Sequence, residues 1–388
     1  MKPVRIGIVG LGNMGREHVK VCTESPTTEL VAVCTPNASR VAEVAGEHGI
    51  AGFTDSAKLM DDANVEAVLI ATPHYSHTPV AIAAFERGLH VLCEKPVGVH
   101  VNDVQMMIDA HEAARQDQPN LLFAAMFQQR TLGHWRKIRQ LLRDGALGRL
   151  VRASWIITTW FRTQHYYDLS SWRATWKGEG GGVLLNQCPH NLDLYQWFFG
   201  MPARVRGLAS IAKYHNIEVE DEVTAIFEHE DGMIGHFITS TAESPGTDRL
   251  EIVGEMGKLV CENDTLIFDR NEESMLTVSD TADEAFMTVP HAPETPAARE
   301  TGSKHRTVIE RFARAVRGED ELIAKGAEGM GSVMLANAVL MSHFAGKAVD
   351  LPLDGDAYLA LLDGLIAKST FVKPEGKGSE KIDIGKSF

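Results

Sequence analysis

Cysteine is scarce: five residues in a chain of 388, an odd number. Cys22, Cys34, Cys93, Cys188 and Cys261 show neither C-x-x-C nor metal-ligand spacing. That argues against a disulfide framework, leaves no expected metal, and suits a reducing cytosol. Long hydrophobic runs are also missing, so no segment is expected to span a bilayer and no membrane partner is expected. The chain enters "VRIGIVGLG" without a signal-peptide pattern, and a cytoplasmic location is the expectation. Positive charge is in short supply. Lys and Arg total 38 against 52 Asp and Glu, giving a formal net charge of −14 and a pI near 5.6. Such a surface repels nucleic-acid phosphates, so nucleic acid is excluded as a partner. Neither low-complexity segments nor short-period repeats occur.

What remains is ordinary globular material, 44% apolar and 23% charged. The length favours two domains. "VRIGIVG" reads as a buried parallel strand and ends in Gly10-Leu11-Gly12-Asn13-Met14-Gly15, followed by the helical "REHVKVCTE". Strand, G-x-G-x-x-G and helix form the context of a dinucleotide fingerprint. Gly10 makes the tight turn, Gly12 admits a pyrophosphate to the backbone, and Gly15 lets helix pack on strand. The helix N-terminus, with Asn13 and Met14, offers N–H groups and a positive dipole end to phosphate. Strand-like "ELVAVCT", "AVLIATP", "HVLCEKP" and "LLFAAMF" then alternate with helical segments. The expected result is an α/β, doubly wound parallel sheet over residues 1–126. Ligands bind such sheets beyond the strands' carboxyl ends. Thr72, Pro73 and His77 follow one strand and Glu94 and Lys95 another, so all five are candidates for the cofactor's surroundings. At the end of the second strand, where NAD-selective folds usually carry an acid, stand Thr35, Asn37 and Arg40. A neutral Thr35 and a nearby Arg40 lean towards NADP without excluding NAD. Arg40 covering the next helix is an equal reading.

After about Phe127 the alternation stops. A linking helix precedes "LVRASWIITTWF", and further strand-like runs are joined by the hairpin signals "EDG" and "MGK". An α+β domain with a large, open, mostly antiparallel sheet is expected over 127–372, followed by a polar tail, 373–388. Within it, "GGGVLLNQCPHNLDLYQWFFG" reads as a helix probed by Asn186 and His190, with Pro189 kinking it.

"GLGNMG", "EKP" and "GGGVLLNQCPHNLDL", with "SWR", "GTDRLEIVGEMGKL" and "GMGSVMLANAVLMS", together resemble the Gfo/Idh/MocA oxidoreductases over nearly the whole chain. The resemblance implies a Rossmann domain and a second domain whose open sheet often forms the oligomer interface, hence a homo-oligomer, dimer or tetramer. It also implies NAD(P)-dependent oxidation or reduction of sugars, cyclitols and related alcohols. The family lysine falls on Lys95 and the family histidine on His190. One position departs: the family's usual aspartate is Asn186 here, although an "NQ-x-PH" version of the motif exists. By the same resemblance, Trp172 and Arg173 lie against the cofactor.

Alcohol oxidation sends a hydride to nicotinamide and a proton to a base. His190 suits the base, because imidazole titrates near neutrality. Lys95 would stabilise alkoxide and disfavour imidazolium. The Asn186 amide could bond a substrate hydroxyl. Trp160, Arg162, His165 and Tyr167 are candidates for sugar contact, with exposed loop chemistry an equal alternative. The same parts fit a redox-neutral glycoside-cleaving enzyme with retained cofactor, or a non-catalytic dinucleotide-binding regulator.

Overall fold

The computed structural model describes residues 2–298 and 304–373, so the tail segment 374–388 lies outside the described residues. The first sheet unit runs β1 (Val4–Val9), α1 (Asn13–Glu24), β2 (Thr28–Cys34), α2 (Ala38–His48), β3 (Ala51–Phe53) and α3 (Ser56–Asp62). It continues through β4 (Ala67–Ile70), α4 (His77–Phe85), β5 (His90–Cys93), α5 (Val101–Asp117) and β6 (Phe123–Ala125). The six strands are parallel, in the order β3-β2-β1-β4-β5-β6. This is the doubly wound order, with its switch point between β1 and β4. The fully buried "AVLI" of β4 shows why these strands read as apolar runs: both faces are covered. Strand β3 leaves almost no mark in the sequence, because "AGF" is too short and too exposed to carry an apolar pattern.

The remainder contains α6 (Gly133–Arg143), β7 (Leu150–Ile157), α7 (Gln164–Asp168), α8 (Val183–Asn186) and α9 (Pro189–Phe199). Then come β8 (Arg204–Ile211), β9 (Glu220–Glu228), β10 (Ile234–Ser240), β11 (Asp248–Gly254), β12 (Gly257–Glu262) and β13 (Thr265–Asn271). The order closes with α10 (Met275–Thr281), β14 (His291–Glu294), α11 (Lys304–Val316), α12 (Gly329–Ala345), β15 (Val349–Asp350) and α13 (Gly355–Lys368). Among the described residues nine strands form one sheet, β14-β13-β12-β11-β7-β10-β9-β8-β15, antiparallel except for β7 with β10. Its strands alternate as the pleat demands. Phe227, Phe237, Trp155, Leu250, Leu259 and Phe268 point inward and are buried. On the opposite face, Ile226, His236, Ser154, Glu251, Val260 and Ile267 follow one another across the paired strands. Helix α12 closes on the inner face so tightly that a Cβ on Gly207 would stand 2.4 Å from the Val339 carbonyl oxygen.

Residues 127–372 do not all stay with the second sheet. Val308, Ile309, Phe312 and Ala313 of α11 join Ile6, Ile8, Val33, Leu69 and Leu92 in a core on one face of the Rossmann sheet. Arg317, just after α11, grips both oxygens of Glu66 at 2.9 Å. The Arg317 hydrogen bonds hold the Glu66 carboxyl down at about 2 despite its partial burial. The chain therefore returns to cover a parallel sheet that its first 126 residues leave partly bare.

Pro189 does not kink a helix. It occupies the first turn of α9, with Cys188 as N-cap, so α8 and α9 are separate. A proline there gives up no intrahelical bond, and its fixed φ suits the start of a helix. The start of α8 is held by Glu220, whose Oε1 accepts from the Gly182 and Leu184 amides at 2.8 and 3.1 Å. Burial outweighs those bonds and raises the Glu220 carboxyl to about 7. An unfolded glutamate releases its proton near 4.5, so between that pH and about 7 the unfolded chain binds fewer protons. Stability contributed by this group is therefore present at low pH and lost as pH rises through the window. Glu220→Gln keeps the Oε1 acceptor without the charge. We expect its stability relative to wild type to improve by roughly 1–3 kcal/mol between pH 5 and pH 8, read from denaturant melts at both pH values. A constant difference would contradict the assignment.

Candidate active site

The glycine loop fits a dinucleotide. Gly10 has φ +103°, and a Cβ there would lie 2.4 Å from the Ala71 carbonyl, which only glycine tolerates. A Cβ on Gly15 would meet the Gly10 oxygen at 1.9 Å, locking α1 against the loop. Gly12 is the opposite case: it is the N-cap of α1, exposed, with open space around it. No side chain caps α1, and its first turn carries no acid. The N–H groups of Asn13 and Met14 are left to donate to a phosphate. Thr72, after β4, keeps a buried hydroxyl with no partner. Pro73 is exposed, while His77 is buried with its ring nitrogens 2.9 Å from the Thr72 and 2.8 Å from the Pro96 carbonyl oxygens. Thr35 directly follows β2, its amide donating to the Phe53 carbonyl oxygen at 3.2 Å. Asn37 is the N-cap of α2 and accepts from the Arg40 amide at 3.0 Å, so its side chain is committed to the helix.

The Glu94 side chain is committed to protein partners. It is buried, 2.6 Å from His18 Nε2 on α1. Burial alone would raise its carboxyl, but the His18 hydrogen bond and charge, helped by His305 and Lys95, bring it to about 2. His305 packs edge-on against His18 with centroids 5.7 Å apart. This buried pair anchors the chain immediately before Lys95.

Lys95 crosses to the second domain, where Nζ donates to the Asn186 carbonyl oxygen at 2.8 Å. Burial pulls its ammonium below the ordinary lysine range. Glu94 and Glu179 oppose that shift and Arg173 reinforces it.

The glycine triplet, Gly180 to Gly182, packs closely against other parts of the protein. A Cβ on Gly180 would lie 2.1 Å from Val99, and one on Gly182 would lie 2.0 Å from the Glu220 carbonyl. These glycines let the loop wedge between the Rossmann unit and β9. They deliver Asn186 to Lys95 and His190 to the start of α9.

His190 is 2% exposed. Its Nε2 is 2.9 Å from the Gln128 amide nitrogen, while His190 Nδ1 and Gln128 Oε1 have no partner. The Gln128 amide serves either tautomer. Oriented with Oε1 towards a protonated Nε2, it leaves Nδ1 a bare base. Oriented with N–H towards a bare Nε2, it leaves Nδ1 a proton donor. Burial, and then the Lys95 charge, hold His190 well below the usual imidazole range. Asp193, a turn later, does not hold the imidazole. It takes a two-pronged bond from buried Arg130 at 2.8 and 2.6 Å, which bolts α9 to the segment carrying Gln128.

The side wall is a stack of rings and cations. The Arg162 guanidinium lies 5.9 Å from the Trp160 ring and 5.1 Å from Tyr166; Arg173 lies 4.5 Å from Tyr166 and 5.0 Å from Trp172. Trp160, Arg162, Trp172 and Arg173 therefore come together. Tyr167 instead turns into the core and donates to Thr241 Oγ1 at 2.9 Å. His165 is exposed. Tyr166, Gln128 and Glu179 reach the site without a sequence signal. Tyr166 donates to Asn186 Oδ1 at 3.0 Å, and the Asn186 amide group donates to Glu179. The Asn186 side chain is thus largely occupied by protein. Among the described residues no group of three or more His, Cys, Asp or Glu could hold a metal, no helix is long and apolar enough to cross a membrane, and all five cysteines are free and buried.

Comparison with known proteins agrees with this architecture. Residues 4–118 match the oxidoreductase family with an NAD-binding Rossmann fold, and residues 135–260 match the GFO/IDH/MocA C-terminal domain. A 1,5-anhydro-D-fructose reductase from Ensifer adhaerens is 25% identical over 89% of this chain and 98% of its own. A levoglucosan dehydrogenase from Pseudarthrobacter phenanthrenivorans is 24% identical over 91% of this chain and 99% of its own. The WlbA dehydrogenase from Bordetella pertussis, solved with NADH and UDP-GlcNAcA, shares the fold with a TM-score of 0.75 at 23% identity, covering 91% of this chain and 100% of that one. With both halves matched and the dinucleotide loop built as the first half requires, the chain belongs to the Gfo/Idh/MocA oxidoreductases and carries their NAD-binding Rossmann domain.

Proposed function

We propose that this protein oxidises or reduces a secondary hydroxyl of a sugar, cyclitol or glycoside, using NAD or NADP. The observation that carries the reading is the hydrogen bond from Lys95, beyond the end of β5, to Asn186, four residues before His190, with an open glycine loop in the Rossmann unit that bears the lysine. The names of the reductase and the levoglucosan dehydrogenase support a carbohydrate.

A bound nicotinamide supplies the hydride acceptor or donor. The chain supplies the rest. Lys95 spends one N–H on Asn186 and has two left for the reacting hydroxyl, whose developing negative charge its ammonium offsets. Neutral His190 takes the hydroxyl proton at its unpartnered Nδ1 in oxidation, becoming an imidazolium whose Nε2–H the Gln128 amide oxygen accepts, and in reduction that imidazolium gives the proton back. The ring-and-cation wall offers flat faces to sugar C–H groups and donors to hydroxyls. Exposed Leu208, Ile226 and Ile267 on the open sheet support association into a homo-oligomer, a dimer or tetramer.

The test is a panel of sugars, cyclitols and glycosides, followed by absorbance at 340 nm with NAD and NADP. Turnover on at least one carbohydrate is expected. Binding of dinucleotide with no absorbance change and no product would overturn the reading; cleavage without net absorbance change would replace it with the redox-neutral route. With the substrate found, His190→Ala should lose about 10²–10⁴-fold in kcat while dinucleotide affinity stays near wild type. Because His190 is held below the usual imidazole range, the acid limb of kcat/KM for oxidation should lie below pH 6.5. Lys95→Ala removes the repelling charge and should move that limb to higher pH as well as slow hydride transfer. An unmoved limb would separate the two residues.

We also propose that the end of β2 selects the coenzyme and tolerates or favours NADP. Thr35 brings no charge to repel a 2′-phosphate, and Arg40 lies in the first turn of α2, five residues on. Thr35→Asp should weaken NADP at least tenfold and NAD far less, by fluorescence titration of both coenzymes. Strong NAD preference in the wild type, unchanged by the aspartate, would contradict this.

A further inference from the structure

Position 186 lacks the carboxylate that the Gfo/Idh/MocA resemblance puts there, yet a carboxylate is present within one side chain of it. Glu179 is 1% exposed. One of its oxygens accepts from the Asn186 amide group, and the other accepts from the Ala174 amide. The Arg173 guanidinium stands 3.7 Å from the first oxygen. The Glu179 backbone oxygen lies 3.2 Å from His74 Nδ1, tying the loop to the Rossmann unit. On its other side, Asn186 gives its carbonyl to Lys95 Nζ at 2.8 Å, while Oδ1 accepts from Tyr166 and from Gln187 at 3.0 Å each. The amide is therefore oriented by three neighbours and bridges Glu179 to the lysine-bearing junction. An acid this deep has little reason to persist as a surface solubiliser, and it is costly to bury unless bonded and paired.

We infer that Glu179 is the displaced carboxylate of the site: a positioning residue that, through Asn186, holds the Lys95 junction in place and supplies the negative charge missing from position 186. The inference rests on the proposed alcohol chemistry for its purpose but not for its geometry. Charged and titratable groups acting on Lys95 are Glu94, Arg173, Glu179 and Cys188. Those acting on Glu179 include Arg173 and Lys373, and Glu179 in turn acts on Glu220. Arg173 and burial press Lys95 towards its neutral form, and Glu179 and Glu94 resist. Removing the Glu179 charge leaves only Glu94 and the weaker Cys188 to oppose them, so the lysine should lose its proton more readily.

The test needs no substrate. Trace labelling with acetic anhydride across a pH series, with the Lys95 peptide quantified by mass spectrometry, reads the fraction of neutral amine in the full-length protein. In Glu179→Gln the Lys95 midpoint should move about one pH unit lower, giving roughly tenfold faster labelling at a pH well below the midpoint. Glu179→Asp should recover part of the shift. Asn186→Asp in the Glu179→Gln background should return the midpoint towards wild type, because the charge is restored one side chain nearer the lysine. Asn186→Asp alone puts two carboxylates together and should fare worse in thermal stability than the double variant. This reciprocal pattern distinguishes a shared charge from simple damage, and it is read even if Glu179→Gln folds poorly. A wild-type Lys95 midpoint in Glu179→Gln, or a double variant no better than its worse parent, would overturn the inference. If the midpoint shifts as expected while no carbohydrate is turned over, the functional proposal fails and the placement of the charge stands.

Discussion

The hydrogen bond from Lys95 Nζ to the Asn186 carbonyl joins the two halves of the molecule at the point where chemistry is expected. It requires the end of β5 and the end of α8 to meet within 2.8 Å, and much of the surrounding structure enforces that meeting. On one side the Glu94–His18 pair fixes the chain before the lysine. On the other, Gly180 and Gly182 allow the loop between the domains, and Glu220 ties down the start of α8. A side chain at either glycine would hold the two ends apart. The placement of the site is thus a packing result before it is an electrostatic one.

Electrostatics then sets the protonation states. Three buried acids stand near the junction, and each is handled differently. Glu94 is paired with histidine and driven down. Glu179 faces Arg173 and Asn186 but is still pushed up by burial. Glu220 has only backbone donors and rises to about 7. Lys95 and His190 share a desolvated region in which each ionised form is disfavoured, and the ammonium further discourages the imidazolium. The proposed alcohol oxidation calls for a histidine in its neutral form, and the Lys95 charge acts in that direction.

Much of this was legible from residue order. The glycine loop, four strands after β1's pattern, Lys95 and His190 could all be read because their signals are local: a motif in context, a run of apolar residues, a polar residue at a strand end. Elements whose existence depends on distant partners could not be read. Strands β3, β14 and β15 are short and weakly patterned, and they exist because a neighbouring strand offers a ladder. The return of α11 to the Rossmann sheet leaves no trace in its own amphipathic pattern, which names a buried face but not what buries it. Pro189 carries the same local signal whether it kinks a helix or opens one, and here it opens one. Adjacent Tyr166 and Tyr167 carry the same chemistry in sequence, and only tertiary packing sends one to Asn186 and the other to Thr241. Glu179, between two glycines after a lysine, resembles a solvated turn until the loop is folded inward.

The central claim is that a substrate hydroxyl is held by Lys95 and His190 together. The most direct measurement is a crystal structure of the protein with dinucleotide and a carbohydrate it turns over. The account predicts one substrate oxygen within about 2.6–3.2 Å of both Lys95 Nζ and a ring nitrogen of His190. A carbohydrate bound with Lys95 still confined to Asn186 and His190 to Gln128, neither touching the reacting hydroxyl, would contradict it.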